Sequence, residues 1–199
     1  MTLHYLALGD SYSIGEGVPA SGRWPMQLAA RLRREGIPLA DPQIIATTGW
    51  TTDELSAAMD HATLAPPYDL VSLLIGVNNQ YRGRGAGEYR QEFQRLLAGA
   101  ICLAGGCPQR VLVLSIPDWG ATTFGHGCGR DIAHVAYALD VFNAIARDEV
   151  QRARACWVDV TGLSRQQPQL LAEDGLHPSV EQYGLWVDVA LPVVRGVFR

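Results

Sequence analysis

Asp69-Leu70-Val71-Ser72-Leu73-Leu74-Ile75 is a nearly unbroken apolar run, followed at once by Gly76-Val77-Asn78. A strand with one wet face alternates apolar and polar side chains. A run apolar at almost every position belongs to a strand buried on both faces, as in a parallel sheet covered by helices. Working outward, four more short strand-like runs occur, at Leu3–Leu8, Gln43–Thr47, Arg110–Ile116 and Cys156–Val160. Helical patterns separate them. Trp24–Glu35 has Pro25 in its first turn, Leu28 and Leu32 on one face, and Gly36 as its stop. Thr51 and Glu54 form a capping box that opens a helix to about His61. Gly87–Leu103 carries Tyr89, Phe93, Leu96, Leu97, Ala100 and Ile101 on one stripe, and Asp131–Arg152 reads as a long helix. Ser179 and Gln182 make a second capping box for a C-terminal helix, which Pro192 is expected to kink or end. Five strands each followed by a helix predict an α/β fold with a parallel sheet and helices on both faces. No composition break, repeat or low-complexity tract divides the chain, so residues 1–199 are expected to form a single domain.

The 199 residues are 48% hydrophobic and 18% charged, which fits a globular chain and argues against disorder or a coiled coil. Sixteen basic and twenty acidic residues leave a net charge of −4 and no basic stripe, so nucleic acid is not an expected partner. No apolar run approaches the ~20 residues of a membrane span. The first residues, Met1 to Asp10, lead directly into a strand without the pattern of a secretion signal. Cys102, Cys107, Cys128 and Cys156 are therefore read as reduced thiols and the protein as cytoplasmic.

In sheets of this kind the ligand sits beyond the carboxyl ends of the strands, where the strand order reverses. Five segments follow strands: Gly9–Gly17, Thr48–Thr52, Gly76–Arg84, Pro117–Arg130 and Thr161–Ser179. In the first, Gly9-Asp10-Ser11 puts a hydroxyl just past a strand at the start of a helical segment. Unpaired N–H groups there suit a developing oxyanion, although the same serine also reads as a cap or turn residue. The last segment holds Asp174-Gly175-Leu176-His177-Pro178. A serine nucleophile needs a base, and the base needs an orienting carboxylate; an Asp and a His three residues apart in one tight loop supply both. Taken alone, Asp174 also reads as a turn residue and His177 as the residue before a cap. The backbone N–H of Gly49 and the amide of Asn78 are further candidate donors, each also readable as an ordinary turn residue.

Together, Gly-Asp-Ser at 9–11, Gly49, Gly-x-Asn at 76–78 and Asp-x-x-His-Pro at 174–178 resemble the four motif blocks of the SGNH hydrolase superfamily, the GDSL esterases and lipases. The blocks occur in the family's order and span nearly the whole chain. The resemblance implies a three-layer, flavodoxin-like α/β/α fold with sheet order 2-1-3-4-5. It implies Ser11 as nucleophile, His177 as general base and acid, Asp174 as its orienter, and an oxyanion hole of the Ser11 N–H, the Gly49 N–H and the Asn78 side chain. It implies a small-molecule ester as substrate, with no cofactor or metal required. One departure is Asn79, where many members carry Asp; it removes a negative charge beside Asn78 but no group the chemistry requires. There is also no Gly-x-Ser-x-Gly elbow of the α/β-hydrolase type around the nucleophile. The same site would serve a carbohydrate O-acetyl esterase, an acyl thioesterase or a lysophospholipase, and the fold also occurs in binding modules without catalysis.

Asp118, Trp119 and Phe124, after the fourth strand, are candidates to line a substrate pocket, as is Tyr81 after the third; the aromatic residues read equally as packing. Arg82 and Arg84 read either as anion binders or as solvated charges. His126 and Cys128 lack the ligand spacing of a zinc site, and Gly9–Gly17 lacks the Lys and spacing of a phosphate loop.

Overall fold

The computed structural model of the chain describes residues 2–198. In chain order the elements are β1 (Tyr5–Gly9), α1 (Ser11–Ile14), α2 (Trp24–Arg34), β2 (Gln43–Ala46), α3 (Thr52–His61), β3 (Leu70–Leu74), α4 (Val77–Tyr81) and α5 (Ala86–Leu103). There follow β4 (Val111–Leu114), α6 (Thr123–Gly127), α7 (Ile132–Ala153), β5 (Cys156–Val158), α8 (Thr161–Gln166) and α9 (Val180–Val197). The five strands form one parallel sheet in the order β2-β1-β3-β4-β5. The expected fold class and strand order are therefore those observed.

The layers follow from handedness. Crossovers between parallel strands are right-handed, so the side on which a helix lies depends on the direction of travel along the sheet. The chain steps one way from β1 to β2 through α2, and the other way through α3, α5 and α7. Accordingly α2 packs on α9, whereas α3 packs on α5 and α5 on α7. The direction reverses beside β1, and the carboxyl ends of β1 and β3 lie next to each other there, in register from Tyr5↔Leu70 to Gly9↔Leu74. All five residues of each strand are buried, as the apolar run of β3 required.

Several boundaries differ from expectation. Leu3 makes only an isolated bridge to Leu39, and the strand begins at Tyr5. β4 stops at Leu114 because the Asn143 amide takes over at Ile116: its Oδ1 accepts the Ile116 N–H (2.7 Å) and its Nδ2 donates to the Ile116 carbonyl (3.0 Å). β5 ends at Val158; beyond it the N–H of Val160 donates to the Ser115 hydroxyl instead of a ladder (2.8 Å). α9 runs through Pro192 to Val197, so the proline does not end the helix. The second capping box is half-formed. Ser179 Oγ accepts the Gln182 N–H (3.2 Å), but the Gln182 side chain donates to the Gln167 carbonyl (2.8 Å) rather than returning to Ser179. No helix among the described residues is long and apolar enough to cross a membrane.

Candidate active site

Each expected block sits at a carboxyl end of the sheet, on a segment whose local bonding holds it there. Ser11 is the first residue of α1, directly after β1, so its own N–H has no intrahelical acceptor. The helix is capped by Asp10, whose Oδ1 accepts the Tyr12 N–H (3.1 Å). Asp174 organises its own loop: one carboxylate oxygen accepts the N–H groups of Leu176 and His177 (both 2.9 Å), while the other meets His177 Nδ1 at 2.6 Å. With a carboxylate at Nδ1, that nitrogen carries the proton of the neutral ring, leaving Nε2 free to accept one. Burial pushes the Asp174 carboxyl up, but the bond from the His177 side chain and the two backbone donors together outweigh it, so it titrates below its usual range. His177 is buried, and the Tyr12 ring stands edge-on to it at 5.7 Å between centroids.

The second and third blocks are tied together by side chains of α4. Asn78 Nδ2 donates to the Trp50 carbonyl (2.9 Å), which uses one of its two protons and leaves the other free. Asn79 is fully buried and clasps Thr52: its Oδ1 accepts the Thr52 N–H (3.1 Å) and its Nδ2 donates to the Thr52 hydroxyl (2.6 Å). Glu92 accepts from the same hydroxyl. Arg82 donates to the Gly49 carbonyl (2.7 Å) and is paired with Glu54. Gly49 itself has φ +89°, a left-handed conformation that favours glycine, and its N–H meets no acceptor among the described residues. At Gly76 (φ +126°) a Cβ would lie 2.6 Å from the Tyr89 ring, so the turn from β3 into α4 needs glycine twice over.

Ser11, Asn78 and His177 line one cavity of about 230 Å³. The rest of its wall is Tyr12, Val77, Tyr81, Trp119, Phe124 and Leu176. Three of the four expected pocket residues, Tyr81, Trp119 and Phe124, are thus at the cavity, and the two readings of Trp119 merge, because it lines the wall while only 2% exposed. Asp118 is the exception and is a correction. Its side chain caps Gly120 (2.9 Å) and pairs with Arg165 (2.8 Å), which turns the carboxylate toward α8, outside the cavity lining. Gly49 is tied to Arg82, the residue that follows α4, but is not part of that lining. Arg82 and Arg84 are engaged by Glu54 and Asp53. His126 and Cys128 belong to no group of three His, Cys, Asp or Glu able to share a metal ion among the described residues.

Sequence reasoning missed Tyr12, Val77 and Leu176 as wall residues and Gln80 as a support. The first three each adjoin a motif residue, a usable signal. Gln80 is found only through its partner, because its Oε1 accepts the Trp119 indole N–H (2.9 Å) across 39 positions.

Asp10 carries a separate consequence. It is fully buried, Oδ2 has no partner among the described residues, and burial, opposed by the Tyr12 N–H, raises its carboxyl to about 7. An unfolded Asp titrates near ~3.9, so between these values the folded state binds the extra proton. The stability this contributes is full below about pH 4 and is lost as pH rises through about 7. Asp10→Asn does not titrate, so its stability relative to wild type should improve by roughly 4 kcal/mol from pH 4 to pH 8, three units at about 1.4 kcal/mol each. Urea titrations of both proteins across that range measure it; a constant difference would refute the buried neutral carboxyl.

A family model described as the GDSL-like Lipase/Acylhydrolase family matches residues 7–185. No curated protein sequence matches the chain. Among solved structures, the fold is similar to that of TesA, with a TM-score of 0.76 and 18% identity over 98% of this chain and 99% of that one. It is similar also to a lipase/acylhydrolase from Enterococcus faecalis (0.76, 17% identity, 98% and 96% coverage). Axe2, an acetylxylan esterase from Geobacillus stearothermophilus, gives the same values (0.76, 17% identity, 98% and 96% coverage).

Proposed function

The chain belongs to the GDSL-like lipase/acylhydrolase family, and from that premise we propose that residues 1–199 form one serine esterase domain that cleaves carboxylic esters through an acyl-enzyme on Ser11. The observation that carries the proposal is the convergence of Ser11, Asn78 and His177 on one cavity, with Asp174 bonded to the far nitrogen of His177 at 2.6 Å. Ser11 Oγ attacks the ester carbonyl while His177 Nε2 takes its proton. Asp174 stabilises the imidazolium that results. The tetrahedral oxyanion is held by the N–H groups of Ser11 and Gly49 and by the free proton on Asn78 Nδ2. His177 then gives the proton to the departing alcohol, and a water activated by the same ring releases the acid. A panel of p-nitrophenyl esters, with a fluorophosphonate probe for the nucleophile, tests this reading; a protein that hydrolyses none of the esters and takes no label would overturn it.

The two neighbouring asparagines separate catalysis from scaffolding. An interaction present only in the transition state raises kcat and leaves KM alone. Asn78→Ala should therefore lower kcat by about 10²–10³ with KM nearly unchanged. Asn79→Ala leaves the buried Thr52 N–H without an acceptor, so its main effect should be on stability, about 1–3 kcal/mol, with the smaller loss of kcat. Measuring kcat, KM and Tm for both variants on one short ester decides it: a large kcat loss for Asn79→Ala and none for Asn78→Ala contradicts the assigned oxyanion hole.

A further inference from the structure

The cavity that Ser11, Asn78 and His177 line also has an aromatic wall. Tyr81 and Trp119 meet edge to face, with ring centroids 5.3 Å apart, and Phe124 stands 6.2 Å from Trp119. Each of the first two is fixed by a residue outside the lining. The Trp119 indole N–H donates to Gln80 Oε1 (2.9 Å), which sets the plane of the ring. The Arg130 guanidinium lies over the Tyr81 ring (4.1 Å to the centroid) and reaches the Trp119 ring (5.6 Å), and its Nη1 donates to the Tyr81 carbonyl (2.9 Å). Arg130 has no carboxylate within ion-pairing distance among the described residues, so the two rings and that carbonyl are what hold it. The Phe124 N–H donates to the Gly175 carbonyl (2.9 Å), which joins this wall to the loop carrying Asp174 and His177.

At about 230 Å³ the cavity is smaller than the ~300–1,000 Å³ usual for small-molecule sites, so where the Tyr81 and Trp119 rings stand decides how far an acyl chain can run. We infer that Gln80 and Arg130 are specificity-determining residues which, by locking Trp119 and Tyr81 as a fixed wall, restrict the enzyme to esters of short, compact acyl groups and exclude fatty acyl chains. This inference rests on the esterase reading above. It separates the alternatives sharing the site: acetyl and other short acyl esters fit, whereas the chain of a lysophospholipid or a long acyl thioester does not.

The test is the ratio of kcat/KM for p-nitrophenyl octanoate to that for the butyrate, measured in wild type, Arg130→Ala, Arg130→Lys and Gln80→Leu. Wild type should favour butyrate by at least about tenfold, since even one unaccommodated methylene is worth that much. Arg130→Ala and Gln80→Leu should raise the octanoate ratio by about tenfold, because the freed rings can swing out of the chain's path. Arg130→Lys keeps a cation over Tyr81 and should stay near the wild-type ratio. Arg130 is exposed, so its variants should fold even if Gln80→Leu, at a buried site, does not; Tm measurements show which are comparable. Equal use of octanoate and butyrate by wild type, or a ratio within twofold of wild type in folded Arg130→Ala, overturns the inference. Ester hydrolysis that survives Ser11→Ala, or is absent in wild type, overturns the esterase reading instead.

Discussion

Ser11→Ala is expected to lower kcat on any accepted ester by a factor on the order of 10⁶, the scale set by removing the nucleophile from a serine triad. The same change should abolish labelling by a fluorophosphonate, which in wild type should add one group, at Ser11. The nearest competitor is Ser13, two positions on in the same helix. It is fully buried, and its hydroxyl faces the Leu8 carbonyl (3.5 Å), whereas Ser11 lines the cavity. The Ala side chain keeps the helical geometry of α1 and the Ser11 backbone N–H, so Tm should move little. Intact mass, the labelled peptide and turnover on p-nitrophenyl acetate together check this. Label on Ser13, or turnover within tenfold of wild type in the variant, would remove Ser11 from the mechanism.

Asp174→Asn should produce the next largest loss, and its cause lies in the tautomer of His177. The Asp174 oxygen that accepts the N–H groups of Leu176 and His177 must remain an oxygen, so the amide nitrogen of Asn would face His177 Nδ1. That nitrogen donates; Nδ1 must then accept, and the ring proton moves to Nε2, the atom required to take the proton of Ser11. The corresponding change costs about 10⁴ in kcat where the carboxylate is buried. The Asp174 side chain is 38% exposed, so water restores part of the tautomer balance and the expected loss is nearer 10³. Two backbone bonds keep the loop in shape, so fold and Tm should persist. The variant should also lack an acid-side contribution. A carboxyl held below its usual range stabilises the fold above the unfolded pKa near ~3.9, and that stability fades as pH falls through the folded value. A kcat within threefold of wild type would mean that His177 does not depend on Asp174 for its tautomer.

Much of this protein is legible along the chain because the relevant physics is local. The unbroken apolar run at Asp69–Ile75 demands burial on both faces, which dictates a parallel sheet and its helical covers. The positions of Ser11, Gly49 and Asn78 just after strands then bring them to one edge of that sheet, while Asp174 and His177 lie in the longer segment between α8 and α9. The Asp174–His177 bond is equally local, since the loop that makes it spans four residues and closes on its own backbone. The short helices α4, α6 and α8, of five or six residues, escaped detection because segments so short carry no measurable periodicity and are not stable alone. Partner choice across long separations was hidden for a different reason. Whether Asp118 faces the substrate or Arg165, whether Arg82 meets solvent or the Gly49 carbonyl, and whether Gln80 holds Trp119 depend on which helices pack side by side and at what depth. In each case several polar groups of similar strength compete, and hydrogen bonds are short-ranged enough that displacements of an ångström decide the winner. The residue types of the candidate site were thus legible along the chain, while the shape of its pocket was decided only when the helices closed over the sheet.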